Sequence, residues 1–328
     1  MSEPSVSLLL PVYNEVDHID ETMRSLLAQD YGDIVEILVA DGGSDDGTIE
    51  RITGLAAEHQ SIVVFHNPDQ RQWSGINRAA QRAQGVYLVR IDGHSSYATD
   101  YVSRSVAVAV AADGAAGGPM NPVGETPFER AVAAVMNTRW LMPARFHHAA
   151  QREEVDTVYL GTFLREAFLD IGGVRGFRSG AAEDADFYYR WRRSGRSVFV
   201  DPAIKSSYRP RGTLGGLWRQ YLGYGAGKTE MWRVNGELPS MRPLAPLALV
   251  IGLPLSVGVG IATGWYAGPT LVWLGWIIAL AGSAPSVRAV PRFTLVAGAM
   301  QVAYGIGMVL GAFRRGSPEQ IATARHPA

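Results

Sequence analysis

Ile34-Val35-Glu36-Ile37-Leu38-Val39-Ala40-Asp41-Gly42-Gly43-Ser44-Asp45-Asp46-Gly47-Thr48 is the stretch on which the fold of this chain is read. An apolar run long enough for a buried strand passes directly into an acidic, glycine-rich turn. Such a turn lies in the crevice at the carboxyl edge of a parallel sheet, where open α/β folds bind ligands. Its glycines let the backbone bend and approach a ligand closely. Asp41 and Asp45 can accept hydrogen bonds from the base NH or the ribose hydroxyls of a nucleoside. The same residues also read as an ordinary strand-to-helix loop, with an Asp or Thr48 capping the helix.

Working outward, Val6–Val12 reads as a first strand, followed by a helix from about Glu15 to Gln29 with Ile19, Met23, Leu26 and Leu27 at helical spacing. A helix starting at Thr48 carries Ile49, Ile52, Leu55 and Ala56 on one face. Ile62–Phe65 is a third strand, Gly75–Ala83 a short helix and Val86–Ile91 a fourth strand. Strands alternating with helices predict right-handed βαβ units and a parallel sheet, hence an α/β fold. Residues 101–112 read as a helix, Gly117-Gly118-Pro119 and Asn121-Pro122 as turns, and Asp156–Phe163 and Ser197–Val200 as further strands.

The 328 residues suffice for one large or two modest domains. A net charge of −1 with no basic tail offers nothing to nucleic-acid phosphates. The absence of cysteine excludes disulfides, thiolate zinc sites and cysteine nucleophiles. Met1-Ser2-Glu3-Pro4 lacks the charged-then-apolar layout of a secretion signal, so the N-terminal part is expected in the cytosol. Charge is distributed unevenly. From Pro243 to Val287 there is none in 45 residues, and Phe293–Phe313 is a second uncharged run, of 21. A membrane-spanning helix needs about 20 apolar residues. A catalytic domain over 1–235 and a membrane region over 236–328 are expected, with spans near 244–262 and 267–285 and a less regular third at 293–313. Trp265, Tyr266, Trp273 and Trp276 suit interfacial positions. The competing reading is a buried helical hairpin of a soluble domain. Arg233 and Arg242 before the first span, with Arg288 and Arg292 after the second, can all face the cytosol. If the third run spans, Arg314 and Arg315 end on the wrong side. Gly298, Gly305, Gly307 and Gly311 there instead mark close helix packing.

Three further clusters carry chemistry. Ile91-Asp92-Gly93-His94 ends the fourth strand, and its carboxylate and imidazole can share one divalent ion, Mg²⁺ or, with the imidazole, Mn²⁺. It also reads as a turn in which Asp92 bonds its own backbone. Glu183-Asp184-Ala185-Asp186 opens a helix-like run, either complementing the helix dipole or placing a general base for an acceptor hydroxyl. Arg219 and Lys228 precede the apolar region; they can anchor a membrane interface or hold a diphosphate.

Pro11-Val12-Tyr13-Asn14-Glu15, the Asp41–Thr48 turn, Asp92-Gly93-His94 and Glu183-Asp184 stand in the order and at the spacings of glycosyltransferase family 2. The sequence resembles its bacterial exopolysaccharide branch, of the succinoglycan glucosyltransferase ExoA type, also through Asp156–Gly161 and Tyr208–Gly212. The resemblance covers about residues 4–235. It implies a GT-A fold that binds a nucleotide-diphosphate sugar, foremost a UDP-sugar, through Pro11, Tyr13, Asn14, Glu15, Asp41, Gly43, Ser44, Asp92 and Gly93. Asp92 and His94 take the place of the family's Asp-x-Asp metal motif, and Asp184 takes the catalytic base position beside Glu183. His94 departs from the second Asp of that motif. The Gln-x-x-Arg-Trp signature of processive synthases is absent, Gln220 being followed by Tyr221-Leu222-Gly223-Tyr224. The expected protein is an inverting, metal-dependent transferase of the inner membrane, with its catalytic domain cytosolic and a lipid-linked saccharide as acceptor. A polyprenyl-phosphate sugar synthase is the enzymatic alternative. A non-catalytic membrane subunit of a polysaccharide assembly complex is the alternative of another class.

Overall fold

The structure is a computed structural model that describes residues 3–237, 241 and 243–313. Of the residues singled out in the sequence, Arg242, Arg314 and Arg315 lie outside the described ones. Val6–Val12 (β1) is buried at every position, as a strand covered on both sheet faces must be. In chain order there follow α1 (Ile19–Leu27), β2 (Ile34–Asp41), α2 (Thr48–Glu58), β3 (Ile62–His66), α3 (Gln72–Arg82) and β4 (Tyr87–Arg90). Next come β5 (Ser95–Tyr97), α4 (Tyr101–Ala112), β6 (Ala115–Gly118), α5 (Pro127–Met136), β7 (Glu153–Glu154) and β8 (Tyr159–Leu164). α6 (Arg165–Asp170), α7 (Glu183–Arg193), β9 (Val198–Val200), β10 (Ser206–Tyr208) and α8 (Leu214–Asn235) complete this part.

The main sheet runs β3-β2-β1-β4-β8-β6-β9-β7. Its first four strands are parallel, with Val12 level with Asp41, Asp41 with His66, and Leu9 with Arg90. After β1 the chain moves outward through β2 to β3 and then returns to the other side of β1 as β4. That reversal opens a topological switch point between β1 and β4, the crevice where ligands bind in open α/β sheets. The all-parallel expectation fails beyond it, because β8 runs antiparallel to both β4 and β6. Gly117 and Gly118 are strand residues rather than a turn. A Cβ at Gly118 would sit 2.0 Å from the Ile204 carbonyl oxygen, so glycine serves close backbone approach there. The unforeseen α5 has a full capping box between Thr126 and Glu129, with Pro127 in its first turn.

The C-terminal part holds α9 (Leu244–Thr263), α10 (Ala267–Gly282) and α11 (Val290–Phe313). α9 and α11 are long and apolar enough to cross a membrane. α10 ends at Gly282, short of the expected 285, and its 16 residues reach only about 24 Å. The α9–α10 pair is not a buried hairpin: Leu255, Ile261, Leu271 and Val272 are 65–71% exposed. α11 differs. Phe293, Val296, Ala297 and Ala303 are fully buried, in one apolar core with β1 and α5 residues. It lies along α8 so closely that a Cβ at Gly307 would stand 2.1 Å from the Leu222 carbonyl oxygen, and at Gly311 2.7 Å from that of Ala226. Gly305 meets the Pro246 carbonyl of α9 in the same way, whereas Gly298 faces only the Trp276 and Leu280 side chains. Arg233 of α8 donates to the Gly311 and Ala312 carbonyls at 2.6 and 3.2 Å, satisfying groups that the end of α11 leaves open.

Candidate active site

Two loops at the carboxyl ends of β1 and β2 are stitched together. Asn14 adopts a left-handed φ of 54°, rare for a residue with a Cβ, and is held there from both ends. Its backbone NH donates to Ser44 Oγ at 3.0 Å, its side-chain amide donates to Asp45 Oδ1 at 2.9 Å, and its Oδ1 accepts from the Asp45 NH at 3.0 Å. The Glu15 NH donates to Thr48 Oγ1, and the Val16 NH to Asp46. Asp41 is buried and accepts from the Gly43 NH at 2.9 Å and the Ser44 hydroxyl at 2.7 Å. It therefore shapes the turn, leaving the remaining lone pairs of its oxygens for a ligand. Pro11 is buried beneath this loop pair, and Tyr13 stands 50% exposed beside Gly42. Asp46, not Thr48, accepts the Thr48 NH at the start of α2, whose N-cap residue is Gly47.

Across the switch point, Asp92 follows β4 and is almost fully buried. Gln72 Nε2 donates to its Oδ1 at 2.9 Å, the Tyr159 hydroxyl to its Oδ2 at 3.3 Å, and Arg90 Nη2 stands 3.7 Å away. The Asp92 NH donates to the Tyr97 hydroxyl at 2.8 Å, and the Thr22 hydroxyl lies 2.9 Å from the carbonyls of Gly93 and Ser95. His94 Nδ1 is 3.2 Å from Glu15 Oε1. Burial opposes charge on this imidazole, but the Glu15 bond and the Asp92 charge outweigh it and raise its pKa above the ordinary value. With Nδ1 held by a carboxylate, Nε2 has no hydrogen-bond partner among the described residues and could ligate once the ring gives up its proton, the usual arrangement of a metal-binding histidine. Among the described residues no three His, Asp or Glu side chains gather into a cage. Asp92 and His94 would supply one carboxylate and one imidazole, so a divalent ion held there would need further ligands from outside the protein.

Arg90, Gln72 and Tyr159 did not emerge from the sequence. Arg90 had a signal: two residues before Asp92 in a strand, it falls on the same face. Burial opposes its charge, but Asp92, 3.7 Å away, and the charge of Asp184 hold its guanidinium more firmly protonated.

Glu183, Asp184 and Asp186 occupy the first turn of α7 with three different fates. Asp186 is fully buried; it accepts from Arg190 Nε at 2.7 Å and from Asn235 Nδ2 at 2.8 Å. Glu183 is half-buried, and its pKa is pushed up to about 8, by burial first and then by the Asp184 charge. Asp184 is exposed, and among the described residues its one hydrogen bond comes from its neighbour's backbone, Ala185 NH, at 3.1 Å. The loop before them is braced by α8: the Ser179 NH and hydroxyl both donate to Glu230 Oε2 at 3.2 Å. Gly227 lies against the Ala181 carbonyl, where a Cβ would come within 2.3 Å. Arg219 is exposed on α8. Lys228, by contrast, turns into an apolar cavity between α7, α8 and α11, away from the Asn14–Ser44 loops.

A sheet of this order, with a stitched acidic turn and a second carboxylate at its switch point, is that of the GT-A fold. The chain belongs to glycosyl transferase family 2, whose family model matches residues 7–171. It is 31% identical over 280 residues to the succinoglycan biosynthesis protein ExoA of Rhizobium meliloti, covering 83% of each chain. Over 243 residues it is 23% identical to the dolichyl N-acetyl-alpha-D-glucosaminyl phosphate 3-beta-D-2,3-diacetamido-2,3-dideoxy-beta-D-glucuronosyltransferase of Methanococcus voltae, covering 70% of this chain and 74% of that one. Among solved structures, the mannosyltransferase PcManGT of Pyrobaculum calidifontis, in complex with GDP-Man and Mn²⁺, matches with a TM-score of 0.63 at 20% identity. That match covers 93% of this chain and 88% of the other, and it shows the shared fold.

Proposed function

We propose that this chain is a membrane-anchored, inverting glycosyltransferase that moves a sugar from a nucleotide-diphosphate sugar, a UDP-sugar foremost, to a hydroxyl of a lipid-linked saccharide. The observation that carries the reading is Asp184 itself, an exposed carboxylate with no side-chain hydrogen bond or ion pair among the described residues, whose charge acts on Arg90, the neighbour of Asp92. Asp184 removes the proton of the acceptor hydroxyl as that oxygen attacks the anomeric carbon. The bond between sugar and diphosphate breaks on the opposite face, the diphosphate leaves with its electron pair, and the configuration inverts. Pro11, Tyr13, Asn14, Glu15, Asp41, Gly43, Ser44 and Gly93 form the donor side, and the buried Arg90 keeps Asp92 oriented toward it. A divalent ion, Mn²⁺ or Mg²⁺, supplies positive charge to the leaving diphosphate when bound. Asp92 and His94 are the residues that would hold it.

The lipid-linked acceptor is supported by the apolar helices built against the catalytic part, and by the Methanococcus relative, whose name describes a dolichyl-linked acceptor. With Arg233, Arg288 and Arg292 on the cytosolic side, the catalytic part faces the cytosol of an inner membrane. A detergent extract given labelled sugar nucleotides with Mn²⁺ tests this. The expected product is an extended lipid-linked saccharide, formed without the label appearing as a simple sugar phospholipid and lost with excess chelator. A sugar phospholipid as the sole product would make the protein a polyprenyl-phosphate sugar synthase, and full activity in chelator would remove the metal from the account.

A further inference from the structure

Behind Asp184 lies a cavity of about 300 Å³ that the donor side does not reach. Its walls come from α7, α8, the loop around Met142, the start of α9 at Pro246, and Ala297 and Met300 of α11. Most of these groups are apolar, and two of the contributing helices are the ones long enough to cross a membrane. Into this space project two cations. Lys228 Nζ has Met231 Sδ, 3.7 Å away, as its hydrogen-bond partner, and no carboxylate among the described residues comes within ion-pair distance of it. Arg192 reaches Asp156 at 3.4 Å, while its Nε is buried with no hydrogen-bond partner. Two cations line the cavity against one carboxylate in its wall, while the charges of Asp184 and Asp186 reach Lys228 from outside it. Desolvating an ammonium without a counter-ion is costly, and burial accordingly lowers the Lys228 pKa, with Asp184 opposing.

We infer that this cavity binds the diphosphate end and first apolar units of the acceptor's polyprenyl anchor, with Lys228 and Arg192 on the phosphate oxygens. An amphipathic anion is what a positive spot in an apolar chamber calls for: the phosphate supplies the counter-charge and the hydrocarbon fills the rest. Ala185, next to Asp184, is part of the wall, so a saccharide attached to that diphosphate leads directly toward the base. Lys228 then serves the acceptor's phosphate and not the donor's. This inference rests on the acceptor being lipid-linked.

The test is equilibrium binding of undecaprenyl diphosphate to the full chain in detergent micelles, beside dioleoyl phosphatidylglycerol and inorganic pyrophosphate. Lys228→Met should weaken undecaprenyl diphosphate by about tenfold or more, the scale of losing one partner of a desolvated charge pair. Lys228→Arg should restore most of it, and Met300→Trp, which fills the chamber from α11, should abolish it. Thermal stabilisation by UDP should be unchanged in all three variants, which also shows that they are folded. Undiminished lipid binding in Lys228→Met and Met300→Trp would overturn the inference. So would equal, equally sensitive binding of phosphatidylglycerol, which would make the chamber a site for bulk anionic lipid. Asp184→Asn separates the two readings, since it should bind undecaprenyl diphosphate like the wild type while losing transfer.

Discussion

Adjacent carboxylates at the start of α7 can be ranked only by where each points. Spacing alone fixes that neighbours do not share a helix face, and leaves open which of Glu183, Asp184 and Asp186 meets the acceptor. In the fold Asp186 is consumed by Arg190 and Asn235 while Asp184 is open, which supports Asp184 in the proposed role. Glu183 then acquires a role that its residue type does not announce. Its pKa of about 8 keeps it protonated at neutral pH, so the pair carries one negative charge instead of two. The folded state thus holds a proton that the unfolded chain releases near 4.5. Stability from this group is complete below pH 4.5, declines from there as pH rises, and is gone above about 8. Glu183→Gln, which imitates the protonated acid, should therefore be more stable than wild type above pH 8 and equal to it at pH 4. The wild-type rate profile should show an inflection near pH 8 that Glu183→Gln lacks. Denaturant titrations at the two pH values, with kcat/KM against pH, check both. An unchanged inflection would assign it to another group.

At the scale of elements, β1 to β4 and the helices between them are legible because their apolar periodicity and turn residues agree. Reading stops where a local signal has two meanings. Gly117 and Gly118 look like a turn, yet they sit in β6 because the Ile204 backbone passes too close for a side chain. β8 is legible as the strand read over Asp156–Phe163, but its antiparallel direction is not, since that depends on the path of the long connection through 119–158. Capping at α5 was there to be read, in Thr126-Pro127-Phe128-Glu129. α8 is the element whose importance sequence hid most: it braces the Phe177–Ala182 loop on one side and packs α11 on the other. Asp186 ties α7 to its end through Asn235. Asp186→Ala leaves Arg190 buried without its carboxylate and should cost about 3–5 kcal/mol of stability, the range for breaking a buried ion pair. Urea denaturation measures this. A loss below about 1 kcal/mol, the value of a surface pair, would mean the network contributes little.

For the whole molecule, the C-terminal apolar region is two things and not one. The α9–α10 hairpin exposes apolar side chains along most of its length, Leu280 being buried, whereas α11 shares a core with the N-terminal part. Charge-free length foretold both runs; only the glycines at 305, 307 and 311 distinguished the packed one. Carbonate washing of membranes should leave the full chain in the pellet, and its release into the supernatant would contradict the anchor. The central claim concerns the chemistry that this architecture serves, with Asp184 as the base of a sugar transfer. It is tested most directly by transfer rates of the full chain in membranes supplied with labelled UDP-sugars, alongside donor affinity, for Asp184→Asn and Glu183→Gln. Asp184→Asn should lower turnover by about 10²–10⁴, the usual contribution of a positioned base, with donor affinity nearly unchanged. Near wild-type turnover in Asp184→Asn, with Glu183→Gln inactive though folded and able to bind donor, would contradict the account and move the base to Glu183.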